Sequence, residues 1–185
     1  DNHSCSTSAS SVVGEATQVI ISPSVTNVSC FGLNNGSITL GLSGGTSPYT
    51  FNWGGGVTSQ NRSSLAAGSY TVTVMDNAGC NYTSSSTITQ PAVFTVSSSV
   101  TGVSCSGGNN GSITVTTAGG SAPASFNWGS GITTQNRTGL SAGTYTVTAT
   151  DISGCTATNT ATISQPTPLN ISAAVASVSC NGGNN

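Results

Sequence analysis

The cysteines of this chain fall into two series, Cys5, Cys80, Cys155 and Cys30, Cys105, Cys180, with successive members 75 residues apart. The same interval separates Trp53 from Trp128, Tyr70 from Tyr145, Arg62 from Arg137, Pro48 from Pro123, Pro91 from Pro166, and the trio Asp1, Asp76 and Asp151. Aligned without gaps, residues 31–105 and 106–180 agree at roughly half of their positions. A fixed period of this length calls for tandem copies of one small module, each contacting its neighbours in sequence.

The turns set the phase of the repeat. "DNAGC" at Asp76 and "DISGC" at Asp151 read as tight hairpin turns, each followed by a strand-like stretch that stops at Gln90-Pro91 or Gln165-Pro166. Proline cannot donate to a sheet ladder, so these dipeptides mark the exit from one unit. The expected units are 17–91 and 92–166, with 1–16 the C-terminal part of a preceding repeat and 167–185 the N-terminal part of a following one. The closing "CNGGNN" opens the phrase that continues as "GSIT" at Gly36 and Gly111, so the chain is expected to break off inside a repeat.

Within a unit the period is two. In "GSITLGL", Ile38, Leu40 and Leu42 share one face; in "YTFNW", Tyr49, Phe51 and Trp53 do; in "YTVTV", Tyr70, Val72 and Val74. One buried and one solvated face implies antiparallel sheets, and glycine-rich turns every 8–12 residues or so imply a sandwich. The strings "LAAGSY" and "LSAGTY" resemble the tyrosine corner of immunoglobulin-like domains. The expected fold is therefore all-β: tandem Ig-like (PKD-like) antiparallel β-sandwich repeats in an elongated array. Trp53, Trp128, Phe51, Phe126, Tyr70 and Tyr145 are expected to fill the cores.

So small a sandwich has little apolar surface to set against chain entropy. Six cysteines without a Cys-x-x-Cys spacing, and with His3 as the only histidine, point to disulfides and an oxidising, extracellular compartment rather than to zinc. Two pairings are open. Cys30–Cys80 and Cys105–Cys155 would each close a loop within a unit, contributing on the order of 4 kcal/mol, with Cys5 and Cys180 pairing elsewhere. The alternative is Cys5–Cys30, Cys80–Cys105 and Cys155–Cys180.

Charge then narrows the function classes. Only 3% of residues are charged, lysine is absent, and Arg62 and Arg137 are the only arginines. Counterion release onto nucleic acid needs clustered basic residues, which this chain lacks. No apolar run approaches the roughly 18 residues of a membrane span. No cofactor is expected.

The combination C-x-G-x-N-N-G-S-I-T, F-N-W-G, T-x-Q-N-R, L-x-A-G-x-Y-T-V-T and D-x-x-G-C resembles the SprB-repeat family along essentially the whole chain. The resemblance implies very large tandem-repeat proteins on the surface of Bacteroidota, exported by type IX secretion, with a gliding-motility adhesin as namesake. It implies no enzyme activity.

Individual residues have plain and sharp readings. Asp76 and Asp151 read as turn residues bonding their own backbone, with a calcium ligand as the alternative. Trp53 and Trp128 read as core, with sugar stacking as the alternative. Arg62 and Arg137 read as packed locally, and the threonine run Thr144, Thr146, Thr148, Thr150 as a solvated β face rather than an ice-binding array. Asn2, Asn27, Asn35, Asn61, Asn81, Asn110, Asn136 and Asn170 fit Asn-x-Ser/Thr, so glycosylation is a further hypothesis. The expected role is a structural stalk or filament segment of a surface adhesin, its partners being neighbouring repeats. A self-assembling filament subunit of identical chains and a carbohydrate-binding module are the alternatives.

Overall fold

Alternating apolar and hydroxyl-bearing residues give six strands in each of two units. The computed structural model describes residues 9–10 and 17–175. Contacts divide the chain after Ala92. The first unit contains β1 (Ile20–Thr26), β2 (Gly36–Ser43), β3 (Thr50–Asn52), β4 (Arg62–Leu65), β5 (Gly68–Met75) and β6 (Asn81–Ile88). The second contains β7 (Thr95–Thr101), β8 (Gly111–Ala118), β9 (Ala124–Asn127), β10 (Arg137–Leu140), β11 (Gly143–Asp151) and β12 (Thr156–Ile163).

Each unit is two three-stranded antiparallel sheets, ordered β1-β2-β4 and β3-β5-β6 in the first, and β7-β8-β10 and β9-β11-β12 in the second. Successive strands switch sheets between β2 and β3, β3 and β4, and β4 and β5, which is the crossing pattern of an Ig-like sandwich. The ladders repeat in register. Ile38 faces Val25 as Ile113 faces Val100, and Val74 faces Phe51 as Ala149 faces Phe126.

The alternation read from sequence places the core. Ile38, Leu40, Leu65, Val72, Val74 and Ile88 are buried in the first unit, and Ile113, Val115, Leu140, Val147, Ala161 and Ile163 in the second. The aromatic residues expected at the centre are displaced from it. Phe51, Trp53 and Tyr70, with Phe126, Trp128 and Tyr145, are half-buried and pack against an aliphatic interior. Period-two patterning selects a face but not a depth. β3 is three residues long, and Trp53 follows its last residue, where the sheet has already opened to solvent.

Gly36 and Gly111, inside the "NNGSIT" phrase, are required by close approach. A Cβ on Gly111 would stand 2.8 Å from the Leu140 carbonyl oxygen and 2.9 Å from Ile163 Cγ2. At Gly36 the corresponding distances, to Leu65 and Ile88, are both 2.9 Å.

Candidate functional site

The chemistry-bearing residues gather at the two poles of each sandwich and along one flank. At the upstream pole, where β1 begins, the β2–β3 loop meets the β5–β6 turn: the Gly45 amide donates to the Thr17 carbonyl (2.8 Å) and the Asn77 amide to the Thr46 carbonyl (2.8 Å). At the downstream pole, where β6 ends, the β1–β2 loop meets the chain leaving the unit. There the Val28 amide donates to the Thr89 carbonyl (3.0 Å), and the Gly32 amide to Gln90 Oε1 (2.8 Å).

Asp76 organises the upstream pole. Its side chain is 2% exposed, and it accepts from the amides of Thr46 (3.2 Å), Ala78 (3.0 Å) and Cys80 (2.9 Å). Asp151 does the same in the second unit, accepting from Ser121 (2.8 Å) and Cys155 (2.8 Å). The Ser121 amide, with those of Cys155, Ser153 and Gly154, holds the Asp151 carboxyl below its usual range, against the upward push of burial. These carboxylates tie a hairpin turn to the neighbouring loop, the turn role read from sequence. Among the described residues no three His, Cys, Asp or Glu side chains come together as metal ligands.

The cysteines separate by pole: Cys80 and Cys155 in the upstream turns, Cys30 and Cys105 in the downstream loops. Cys30 and Cys155 are disulfide-bonded; Cys80 and Cys105 are free. This overturns the pairings Cys30–Cys80 and Cys105–Cys155, and also Cys80–Cys105. Within a unit the reason is distance. β6 alone spans eight residues between the poles, about 26 Å at strand rise, whereas bridged Cα atoms lie within about 7 Å. Cys5 and Cys180 lie outside the described residues.

On the flank, Arg62 is held between two rings. Its guanidinium carbon is 5.6 Å from the Trp53 centroid and 5.2 Å from that of Tyr70. Arg137 repeats this with Trp128 (5.5 Å) and Tyr145 (5.2 Å). The Trp53 indole N–H donates to the Ser59 carbonyl (2.8 Å), and the Tyr70 hydroxyl to the Ala66 carbonyl (3.0 Å), completing a tyrosine corner.

The residues before each arginine have a role that sequence reasoning missed. Gln60 Nε2 donates to the Leu40 carbonyl (2.8 Å) while Asn61 Oδ1 accepts from the Leu40 amide (3.0 Å), so two side chains replace a missing ladder partner on β2. Gln135 and Asn136 grip Val115 in the same way, at 2.8 and 2.9 Å. The 75-residue recurrence of Gln-Asn-Arg was the available signal, but its target lies about twenty residues upstream, with no local mark.

Asn27, Asn35, Asn61, Asn110 and Asn136 each accept a backbone hydrogen bond through Oδ1. Asparagine at these positions therefore has a structural use apart from any sugar. Asn81 and Asn170 are exposed, and Asn2 lies outside the described residues.

Comparison with known proteins gives a family. Residues 22–58 and 97–133 match the SprB repeat, two segments offset by the period of the chain. No curated protein matches. Among solved structures, a C-terminal 282-residue fragment of intimin in complex with the intimin-binding domain of the translocated intimin receptor aligns with 12% identity and a TM-score of 0.40. That alignment covers 80% of this chain and 64% of the fragment. A structure bearing on Dscam isoform specificity aligns with 12% identity and a TM-score of 0.35, covering 82% of this chain and 47% of that one.

Proposed function

Because this chain carries two SprB repeats, we propose that it is a non-catalytic structural segment of a large extracellular surface adhesin, in which sandwich units act as spacers. The observation that carries the reading is the repeated strand register around separate cores, which lets units be added without redesigning an interior. The charged side chains of the described residues also serve the fold: Asp76 and Asp151 are caged by amides, and Arg62 and Arg137 are stacked on rings. Placement on a Bacteroidota cell surface, export by type IX secretion and a part in gliding follow from the family and belong to the same proposal.

Pulling single molecules under reducing conditions tests it. Two separate unfolding events are expected, each releasing about 25 nm of chain for a 75-residue unit. A single event releasing the whole length would refute independent spacers.

A self-assembling filament is the second reading, favoured by the edges. β6 and β12 each pair on one side only and carry Ser, Thr and Asn with no charged residue to discourage edge pairing. Electron microscopy separates the two: a thread one sandwich wide supports a spacer, a thicker fibre with helical symmetry an assembled filament. Sugar stacking has less support, since each Trp has its N–H and one face already engaged.

A further inference from the structure

Each unit presents one cysteine at each pole, and cysteines of the same pole sit in matching backbone frames. The Cys80 amide donates to Asp76 Oδ1 at 2.9 Å and the Cys155 amide to Asp151 Oδ1 at 2.8 Å. The Cys30 carbonyl accepts from the Leu33 amide at 3.2 Å, as the Cys105 carbonyl does from Gly108 at 3.0 Å. Beside them Asn35 and Ser29 are bonded as Asn110 and Ser104 are.

Matching frames nevertheless hold thiols in different states. Cys30 and Cys155 are disulfide-bonded while Cys105 and Cys80, their repeat counterparts, are free. Burial follows the bond: Cys155 is 8% exposed and Cys30 half-buried, whereas Cys80 and Cys105 are exposed. The two bonded residues come from unlike poles. Unlike poles of a single unit are too far apart to be bridged. Chain order offers another combination, because a unit's chain leaves at its downstream pole and the next unit's first strand starts at its upstream pole.

We propose that Cys80 and Cys105 are open halves of disulfides between repeats, the downstream-pole cysteine of one repeat bonding the upstream-pole cysteine of the repeat that follows. Cys30 and Cys155 stand in this relation, 125 residues apart. Cys80 would take the downstream-pole cysteine of a preceding repeat, and Cys105 the upstream-pole cysteine of a following one. Each bond joins two thiols with loss of two protons and two electrons. With a disulfide oxidant such as oxidised glutathione, a mixed disulfide forms first, the second thiol attacks it, and two reduced glutathione molecules leave.

The full chain carrying Cys5→Ser and Cys180→Ser tests this, incubated folded with oxidised glutathione. Peptide mapping should find Cys30 joined to Cys155. A non-reducing gel should show a ladder in steps of the 18.1 kDa chain, its junction peptide joining Cys80 to Cys105. Adding Cys80→Ser or Cys105→Ser should abolish the ladder and leave monomer, with the far-ultraviolet circular dichroism unchanged. The proposal is overturned by Cys80–Cys80 and Cys105–Cys105 bonds as abundant as Cys80–Cys105, by dimers persisting in either single variant, or by no ladder at all. Recovery of Cys30 bonded to any residue but Cys155 would also sink it. The pulling experiment is done with thiols reduced, so its outcome and this one are independent.

Discussion

The Arg62 guanidinium lies over the Trp53 ring, 5.6 Å from its centroid, with the Tyr70 ring on a second contact at 5.2 Å. A planar, weakly hydrated cation suits this position, and its alkyl stem covers apolar surface that would otherwise be wet. Arg62→Ala is expected to destabilise the first unit by about 1–3 kcal/mol, and Arg62→Lys to recover only part of that. Denaturant unfolding followed by Trp53 fluorescence, in a Trp128→Phe background, reads the difference. A lysine variant as stable as the parent would show that charge alone matters there.

Asn61 makes a sharper test of the side-chain clamp on β2. Asn61→Ala leaves the Leu40 amide without its acceptor, at an expected cost of about 1–3 kcal/mol. Asn61→Asp keeps an oxygen in place and is expected to retain most of the stability. Equal losses in both variants would mean the amide is not what the position supplies.

Asp151 predicts a pH dependence whose direction follows from its amide cage. Its folded pKa lies below the ordinary 3.8, so folding favours the ionised form. The contribution is fully present above that unfolded value and is lost as pH falls through the folded one. Asp151→Asn is expected to be less stable than the parent at neutral pH, with the gap narrowing between about pH 5 and pH 2. Urea midpoints across that range provide the measurement, and a gap independent of pH would discount the carboxylate.

Gly111→Ala is expected to destabilise the second unit by about 1–3 kcal/mol, because the new Cβ meets a carbonyl oxygen at 2.8 Å in a paired strand. Thermal unfolding measured beside Gly41→Ala, where the nearest atom stands at 3.4 Å, controls for loss of glycine as such. Equal shifts in the two variants would argue against a packing limit at Gly111.

Much of the architecture was legible because it is local. Alternation over seven or eight residues decides which side chains of β2 and β5 face inward, and Ile38, Leu40, Val72 and Val74 lie where that pattern puts them. The corner string before Tyr70 needs only a hydroxyl reaching back four residues, and the Ala66 carbonyl receives it. The turn role of Asp76 is local in the same way.

The candidate sites depended on what lies across the sandwich. Nothing near Gln60-Asn61 indicates that Leu40 is the strand they complete, and nothing near Trp53 shows that β3 ends before the core is reached. The interval between cysteines counted residues, whereas a disulfide depends on distance. The amino-acid sequence alone determined the repeat, the strand faces and the class of fold, since each follows from periodicity carried by neighbouring residues. Only the tertiary structure decided which cysteines are bonded and how deep the aromatic rings lie. Those depend on which pole a loop occupies after the chain has crossed between two sheets.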